Sequence, residues 1–135
     1  MGIHAGPDLE SIVRAYLSAI ERGDRAALVA LFHPAAEQIE LPNRLKPKGD
    51  HRTPEAMARD FERGKTILRR QSYEIVAIVR QDSTVVARVR WQGELAIPLG
   101  SLNAGDAMTA HSAIFFEFEG GLIRRQFNYD CFEAS

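Results

Sequence analysis

The chain ends in a segment whose polar and apolar side chains alternate, RRQFNYDCFEAS. Successive side chains of an extended strand point to opposite faces, so Gln126, Asn128 and Asp130 share one face. Two amides and a carboxylate in a row can donate and accept hydrogen bonds, and the carboxylate can also exchange a proton. This face of the strand therefore either contacts solvent or lines a polar site.

Other reactive residue types lack the spacing that familiar chemistries need. Cys131 points away from Asp130 on the same strand, and no histidine is placed near it by sequence, so a thiolate nucleophile is not expected. Gly120-Gly121 marks a turn rather than a phosphate-binding loop. Three histidines in terminal or loop positions share no ligand-type spacing: His4, His33 and His51. The sequence therefore predicts neither a metal site nor a cofactor.

The composition is that of an ordinary globular protein. The chain has 135 residues, 45% hydrophobic and 26% charged, which predicts a single domain over 1–135 with a substantial core. The net charge of -1 argues against general nucleic-acid binding, because that needs a basic surface. The single cysteine favours a reducing compartment, and no apolar run suits a signal peptide or a membrane span. We therefore expect a soluble cytoplasmic protein.

The first part of the chain is predicted to form two helices. The first runs from about Asp8, its N-cap, to Arg22, and Gly23 ends it. Its apolar residues fall at helical spacing: Leu9, Ile12, Val13, Tyr16, Leu17 and Ile20. Asp24 caps a second helix that carries Phe32 and is predicted to end at Pro34.

A mixed region separates these helices from a third one. Residues 37–41 are predicted to be extended, with Gln38 and Glu40 on one side. Residues 42–52 are predicted to be a loop rich in proline and basic residues, either solvated or an anion site, and the sequence leaves open whether it covers a pocket. Thr53-Pro54-Glu55 then predicts a helix start, with a cap, a proline in the first turn and an acidic residue.

From residue 72 onward the pattern changes to strands. Strands are predicted over 72–80, 84–99, 108–119 and 122–132, with Gly120-Gly121 as a hairpin turn. Helices followed by consecutive antiparallel strands predict an α+β fold with the helices on one face of a sheet.

These segments resemble the nuclear-transport-factor-2-like superfamily, in its SnoaL-like and ketosteroid-isomerase-like branch. The resemblance rests on AYLSAIERGDRAALVALF, HPAAEQIELP, TPEAMARDF and GGLIRRQFNYDCF, and it covers nearly the whole chain. It implies a cone-shaped, cystatin-like α+β fold, in which a curved antiparallel sheet wraps around the N-terminal helices and a pocket opens on the concave side. It also implies a homodimer formed through the outer face of the sheet.

The same resemblance implies roles for three residues. Tyr129-Asp130 matches the position at which SnoaL-like cyclases carry their general acid/base, and a desolvated carboxylate has the raised pKa that this role needs. Tyr16 overlays the tyrosine that donates to the substrate oxygen in ketosteroid isomerases, and Glu40 lies near their catalytic base. Each has a structural alternative: Asp130 held by backbone amides or by an arginine such as Arg90, Tyr16 in the core, and Glu40 on a strand surface.

The sequence departs from the active-site patterns of two enzyme types of this fold, and both departures restrict the expected chemistry. The second acid of the isomerase oxyanion site falls on Ile114, which removes a donor, so steroid isomerisation is not expected. An epoxide hydrolase of this fold would need an Asp-Arg-Asp arrangement, and Arg88 and Arg90 are predicted to point outward.

The expected pocket wall mixes polar and apolar side chains. On strand 108–119 the face opposite His111 and Phe115 is expected to be the pocket face, unless a bulge reverses the register. Asn128 or Asp130 is expected to accept from the Trp91 indole. The expected ligand-binding residues are Gln38, Asn128, Gln126, Trp91, Phe32, Ser112, Ile114, Phe116 and Phe132.

Three functions are compatible with the sequence. The first is a cofactor-free acid/base enzyme, of isomerase, cyclase or hydratase/hydrolase type, acting on a hydrophobic small molecule with Asp130 as the base. The second is a non-catalytic binder of such a ligand. The third is a protein-interaction domain, which predicts an exposed apolar patch around Phe115 that is larger than one dimer interface needs.

Overall fold

A computed structural model describes residues 8–134, in which three helices pack against one six-stranded sheet. The elements in chain order are α1 (Leu9–Arg22), α2 (Arg25–Val29), β1 (Phe32–Glu40), β2 (Asp50–Arg52), α3 (Pro54–Ile67), β3 (Leu68–Gln81), β4 (Thr84–Leu95), β5 (Ala107–Glu119) and β6 (Leu122–Phe132). This is the expected α+β class. Among the described helices, none is long and apolar enough to cross a membrane.

Capping residues fix both ends of α1 and the start of α3. The Asp8 carboxylate accepts from the N–H groups of the first turn of α1, and Gly23 ends that helix with a φ of 68°. Such a left-handed conformation carries little steric penalty for glycine. Thr53 caps α3 and Pro54 occupies its first turn. These predicted helix boundaries are confirmed.

The second helix is shorter than predicted, and the prediction for Phe32 was wrong. Phe32 begins β1 rather than lying in α2, and Pro34 lies within that strand. β1 pairs with β6, but the pairing is interrupted between Phe32 and Glu37. A proline that donates no backbone N–H fits such an interruption, so it does not end the strand.

Further strand boundaries differ from the prediction, and the first is that β3 begins at Leu68 rather than at residue 72. Part of the predicted loop 42–52 is a strand, because Asp50 and Arg52 pair antiparallel with Glu40 and Gln38 of β1. The predicted strand 84–99 ends at Leu95, and the chain then forms a loop that contains Pro98.

The sheet has the order β2-β1-β6-β5-β4-β3, with α1 and α3 against it. Neighbouring strands are antiparallel except β1 and β6, which are parallel, so one pair departs from the expected antiparallel pairing. Side chains paired across strands share a face. One row crosses the outer face: Val79, Val86, Phe115, Phe127 and Ile39. Another crosses the concave face: Ile78, Ala87, Ile114, Asn128 and Glu40.

The register of β5 places its two faces as the sequence predicted. His111 and Phe115 are exposed on the outer face, whereas Ser112, Ile114 and Phe116 are buried under the helices. The irregularity in the β5–β6 pairing lies between Glu117 and Phe118, close to the hairpin turn. It therefore does not reverse the faces around His111.

Candidate active site

A cavity of about 560 Å³ opens between the concave face of the sheet and the helices. This volume is in the range of small-molecule sites. Ten of the twelve side chains that the sequence assigned to the site line it: Tyr16, Phe32, Gln38, Glu40, Trp91, Ser112, Ile114, Asn128, Asp130 and Phe132. The other two, Gln126 and Phe116, are fully buried behind the wall.

Asp130 lies on β6 and faces the cavity. Its Oδ1 accepts a hydrogen bond of 2.6 Å from the Ser112 hydroxyl, which lies directly across on β5. Burial raises the pKa of the Asp130 carboxyl above its usual value, although the Ser112 hydrogen bond acts in the opposite direction. Arg90, the partner considered from sequence, is paired with His111 in the register and shares its outer face. Asp130 is therefore a desolvated carboxylate held by a neutral donor.

The raised pKa of Asp130 has a consequence for stability that is testable. When folding raises the pKa of an acid, stability falls as the pH rises from the unfolded pKa to the folded pKa. An Asp130→Asn variant keeps an acceptor for Ser112 and has no such loss. Its stability advantage over the wild type should grow with pH by at most about 1.4 kcal/mol per pH unit, then level off. Urea unfolding from pH 4 to 9 measures this, and a constant difference would contradict it.

Tyr16 lies on α1 with its hydroxyl inside the site. The side chain is 5% exposed and packs edge-on against Phe116, with ring centroids 5.2 Å apart. Gln126 Nε2 donates to the Tyr16 hydroxyl oxygen at 2.9 Å. Burial raises the pKa of Tyr16 to about 12, with the Gln126 hydrogen bond opposing. The phenol therefore keeps its proton at neutral pH and has that proton available to donate.

Glu40 lines the cavity but is occupied by other donors. Arg52 Nη2 and Asn43 Nδ2 each donate to its carboxylate at 2.7 Å. Its side chain is 13% exposed, and the partner Arg52 is 12% exposed. Both carboxylate oxygens already accept from protein donors, so this geometry does not favour Glu40 as the base.

Arg52 is a site residue that the sequence interpretation missed. It donates to Gln38 Oε1 at 2.8 Å and to Asp50 Oδ2 at 2.7 Å, in addition to its bond with Glu40. Burial lowers the pKa of Arg52, but the hydrogen bond and charge of Glu40 outweigh it, so the net shift is upward. The one available signal was the alternation of Asp50 and Arg52 immediately before a capped helix.

The Trp91 wall also differs from the expectation. Trp91 Nε1 donates to Gln71 Oε1 at 2.9 Å, rather than to Asn128 or Asp130. Gly93 lies beneath the indole, and a Cβ there would stand 2.5 Å from the ring. Tyr73 completes this wall, and burial raises its pKa well above the usual value. Gln71 and Tyr73 alternate along β3, which was the signal that could have identified both.

Two loops reach the mouth of the cavity. Leu45 and Lys46 come from the loop before β2, and Leu99 comes from the loop after β4. The loop that was predicted to be basic therefore contributes to the wall. Within residues 8–134, no three His, Cys, Asp or Glu side chains are grouped so as to hold a metal ion.

The sequence and the fold both match known proteins. Residues 13–126 match the SnoaL-like domain. IdmH of Streptomyces antibioticus, a proposed polyketide cyclase, superposes with a TM-score of 0.79 at 16% identity, covering 92% of each chain. A proposed polyketide cyclase of Xanthomonas campestris gives a TM-score of 0.76 at 23% identity, over 90% of this chain and 88% of that one. AclR of Streptomyces galilaeus, a proposed hydroxylase, gives a TM-score of 0.77 at 12% identity, over 92% of this chain and 79% of that one.

No curated protein matches the sequence. All three structures are less than 25% identical to this chain in sequence. The similarity therefore establishes the fold and not the reaction. The family match covers most of the chain, from α1 to the middle of β6. The chain belongs to the SnoaL-like domain family.

Proposed function

We propose that the protein is a cofactor-free enzyme that moves a proton on a hydrophobic carbonyl compound bound in the cavity. The observation that carries this proposal is Asp130: a partly buried carboxylate that faces the cavity, has a raised pKa and is held by the Ser112 hydroxyl. A base whose pKa is raised toward the working pH accepts a proton and can return it. The largely apolar wall suits a hydrophobic substrate, as expected for small-molecule sites.

The proposed step is abstraction of a proton next to a carbonyl group. The Asp130 carboxylate takes the proton from the α-carbon, and the C–H electron pair forms a carbon–carbon double bond. The carbonyl π pair moves onto oxygen, where the Tyr16 hydroxyl and the Asn128 amide donate hydrogen bonds to it. If the substrate carries a β,γ double bond, Asp130 returns its proton to the γ-carbon of the conjugated enolate, which is isomerisation. Alternatively the α-carbon attacks a second carbonyl carbon, whose π pair moves onto its oxygen and takes the proton from Asp130, which is cyclisation.

The donors of this site differ from those of a steroid isomerase. Ile114 occupies the wall where a second acid would stand, and it is buried and apolar. Asn128 lies directly across from Ile114 on the neighbouring strand. In our proposal its amide supplies the second donor, which is weaker than a protonated carboxylic acid. A substrate with a more acidic α-proton, such as a β-dicarbonyl compound, fits this arrangement better than a simple steroid ketone.

Hydrogen exchange tests the proposal without knowledge of the natural substrate. The protein would be incubated in D₂O with 2-tetralone and with a hydrophobic β-diketone, and loss of the α-proton signal followed by NMR. We expect saturable exchange faster than in buffer. Binding without exchange would favour the non-catalytic ligand-binding function, and absence of both would favour an interaction domain.

We also propose that two copies of the chain pair through the outer face of the sheet. Phe115 and Tyr129 are 39% and 48% exposed there, with ring centroids 5.6 Å apart. Phe115 belongs to the apolar row that crosses five strands. Sedimentation equilibrium should give about twice the chain mass of 15.1 kDa. Phe115→Glu should shift it toward the monomer, whereas Arg14→Glu on the exposed side of α1 should not. A monomeric wild type would contradict this proposal.

A further inference from the structure

A row of buried polar side chains crosses three strands beside the cavity. Arg52 of β2 is paired in the register with Gln38 of β1, which is paired in turn with Gln126 of β6. Arg52 Nε donates to Gln38 Oε1 at 2.8 Å, and Gln38 Nε2 donates to Gln126 Oε1 at 3.3 Å. Gln126 Nε2 then donates to the Tyr16 hydroxyl at 2.9 Å and to Asn128 Oδ1 at 2.8 Å.

The direction of every hydrogen bond in this row follows from Arg52. A guanidinium carries only donors, so the Gln38 atom that faces it must be the carbonyl oxygen. The Gln38 amide nitrogen then faces Gln126, which must accept the hydrogen bond through its side-chain oxygen. The Gln126 nitrogen is thereby turned toward Tyr16 and Asn128. Neither glutamine can rotate by itself without placing two donors or two acceptors against each other.

The first member of the row is itself firmly held. The Arg52 guanidinium contacts Glu40 and Asp50 at 2.7 Å and Asp60 at 3.6 Å. Gln126 is fully buried and Gln38 is 9% exposed, so water has little access to replace their bonds. The orientation set at Arg52 is therefore transmitted to the end of the row.

The end of the row decides what the cavity presents to a ligand. The Tyr16 oxygen and the Asn128 side-chain oxygen both accept from Gln126, which leaves the Tyr16 O–H and the Asn128 N–H groups for a ligand. We propose that Arg52, through Gln38 and Gln126, fixes Tyr16 and Asn128 as donors, so that the cavity selects a carbonyl or enolate oxygen over a hydroxyl group. Arg52 is thus a positioning residue for specificity. The inference rests on the proposed function, because it names the substrate group that the same cavity binds.

The ionisation of Tyr16 agrees with this assignment. Burial raises its pKa to about 12, so the phenol stays protonated over the pH range in which the protein would work. A ketone oxygen has two lone pairs for the two donors. An alcohol can also accept, but its own proton finds no acceptor on Tyr16 or Asn128 and has to be taken by Asp130, so one of the two donors or the base is left mismatched and its binding is weakened.

Gln38→Glu tests the row by reversing the direction of the hydrogen bonds that follow residue 38. A carboxylate still accepts from Arg52, so the ion pairs around it are kept, but it has no N–H for Gln126. Gln126 is then expected to turn its nitrogen toward residue 38 and its oxygen toward Tyr16 and Asn128. The Tyr16 hydroxyl would donate to that oxygen or directly to the carboxylate at position 38, since the Gln38 side chain also reaches Tyr16. Asn128, which is reached only through Gln126, would turn its own oxygen toward the cavity.

The binding readout compares 2-tetralone with 2-tetralol, a ketone and an alcohol that share one carbon skeleton. Calorimetry should show that the wild type prefers the ketone and that Gln38→Glu shifts the ratio of dissociation constants toward the alcohol by about tenfold or more. Gln71→Glu is the matched control, because it adds the same charge to the same cavity, keeps an acceptor for Trp91 and lies outside the row. An equal shift in both variants would overturn the inference.

A second readout needs no ligand and no catalysis. In the wild type, the Gln126 side-chain N–H protons should give NMR cross-peaks to the Tyr16 ring, and in Gln38→Glu these should be lost. Gln126 N–H protons that give stronger cross-peaks to the Gln38 side chain than to the Tyr16 ring in the wild type would overturn the inference, even if the variant failed to fold. The two proposals can fail separately. If the ratio of dissociation constants and the cross-peaks are as expected but no α-proton exchange is seen, the proposed catalysis is refuted and this inference stands. A wild type that prefers the alcohol, or binds neither probe, would refute the selectivity.

Discussion

Asp130→Asn is expected to slow the exchange of ketone α-protons by about 10²- to 10⁴-fold. This is the usual range for loss of a positioned general base. Asparagine has nearly the same shape and keeps an acceptor for the Ser112 hydroxyl, so the cavity and its affinity for the ketone should change little. The rate should fall while the dissociation constant of 2-tetralone stays within a few-fold. NMR exchange rates and calorimetry on the same samples measure the two quantities.

The pH profile separates a base from a residue that merely shapes the cavity. Only the ionised carboxylate accepts a proton, so the wild-type rate should rise with pH and level off above the raised pKa of Asp130. The Ser112 hydrogen bond lowers that pKa, so Ser112→Ala should move the whole profile to higher pH. A profile that is flat from pH 4 to 9, or Asp130→Asn activity within threefold of the wild type, would refute the role of Asp130.

The parts of this structure that the sequence predicted are those set by neighbouring residues. Asp8 and Gly23 fix α1 through bonds within a few positions, and Gly120-Gly121 fixes the last hairpin. β6 begins and ends where the alternation begins and ends, so the shared face of Asn128 and Asp130 follows from spacing alone.

The parts that the sequence did not predict depend on pairing between distant segments. Phe32 fits the helical spacing of the residues before it, yet it is the first residue of β1. In that strand it pairs with β6, and its aromatic ring is buried against Tyr16 of α1. Arg52 stands in a stretch that looks like a solvated basic loop. Only the three-residue pairing of β2 with β1 brings it against Gln38 and Glu40.

The consequence for the site is a change of role for Glu40. Its position suggested a catalytic base, but a base needs a lone pair that is free to face the substrate proton. Register places Asp50 opposite Glu40 and brings Arg52 onto both carboxylates. The acidic residue therefore holds an arginine, and the arginine orients the polar row. No pattern within β1 alone distinguishes these two roles.

Arg52→Met is expected to lower the free energy of unfolding by about 3 kcal/mol. Removing one member of a buried ion pair leaves the other charge without compensation, which typically costs about 3–5 kcal/mol. We take the lower end because Asp50 and Asp60 are 32% and 31% exposed and can be hydrated, whereas Glu40 is only 13% exposed. Methionine fills similar volume, so the loss would not come from an empty space. Urea unfolding at pH 7 measures it.

The double variant Arg52→Met with Glu40→Met shows whether the loss comes from the stranded charge. Replacing both members of a buried pair by apolar side chains is often neutral or stabilising, so the double variant should be more stable than Arg52→Met alone. Lys46 still contacts Asp50 at 2.7 Å in both variants, so that carboxylate keeps a partner. If Glu40→Met restored none of the free energy of unfolding that Arg52→Met removes, the loss would instead come from Gln38 and Gln126, because their buried amides lose the donor that orients them. If Arg52→Met cost less than about 1 kcal/mol, the value of an exposed pair, Arg52 would be hydrated and unable to orient the row.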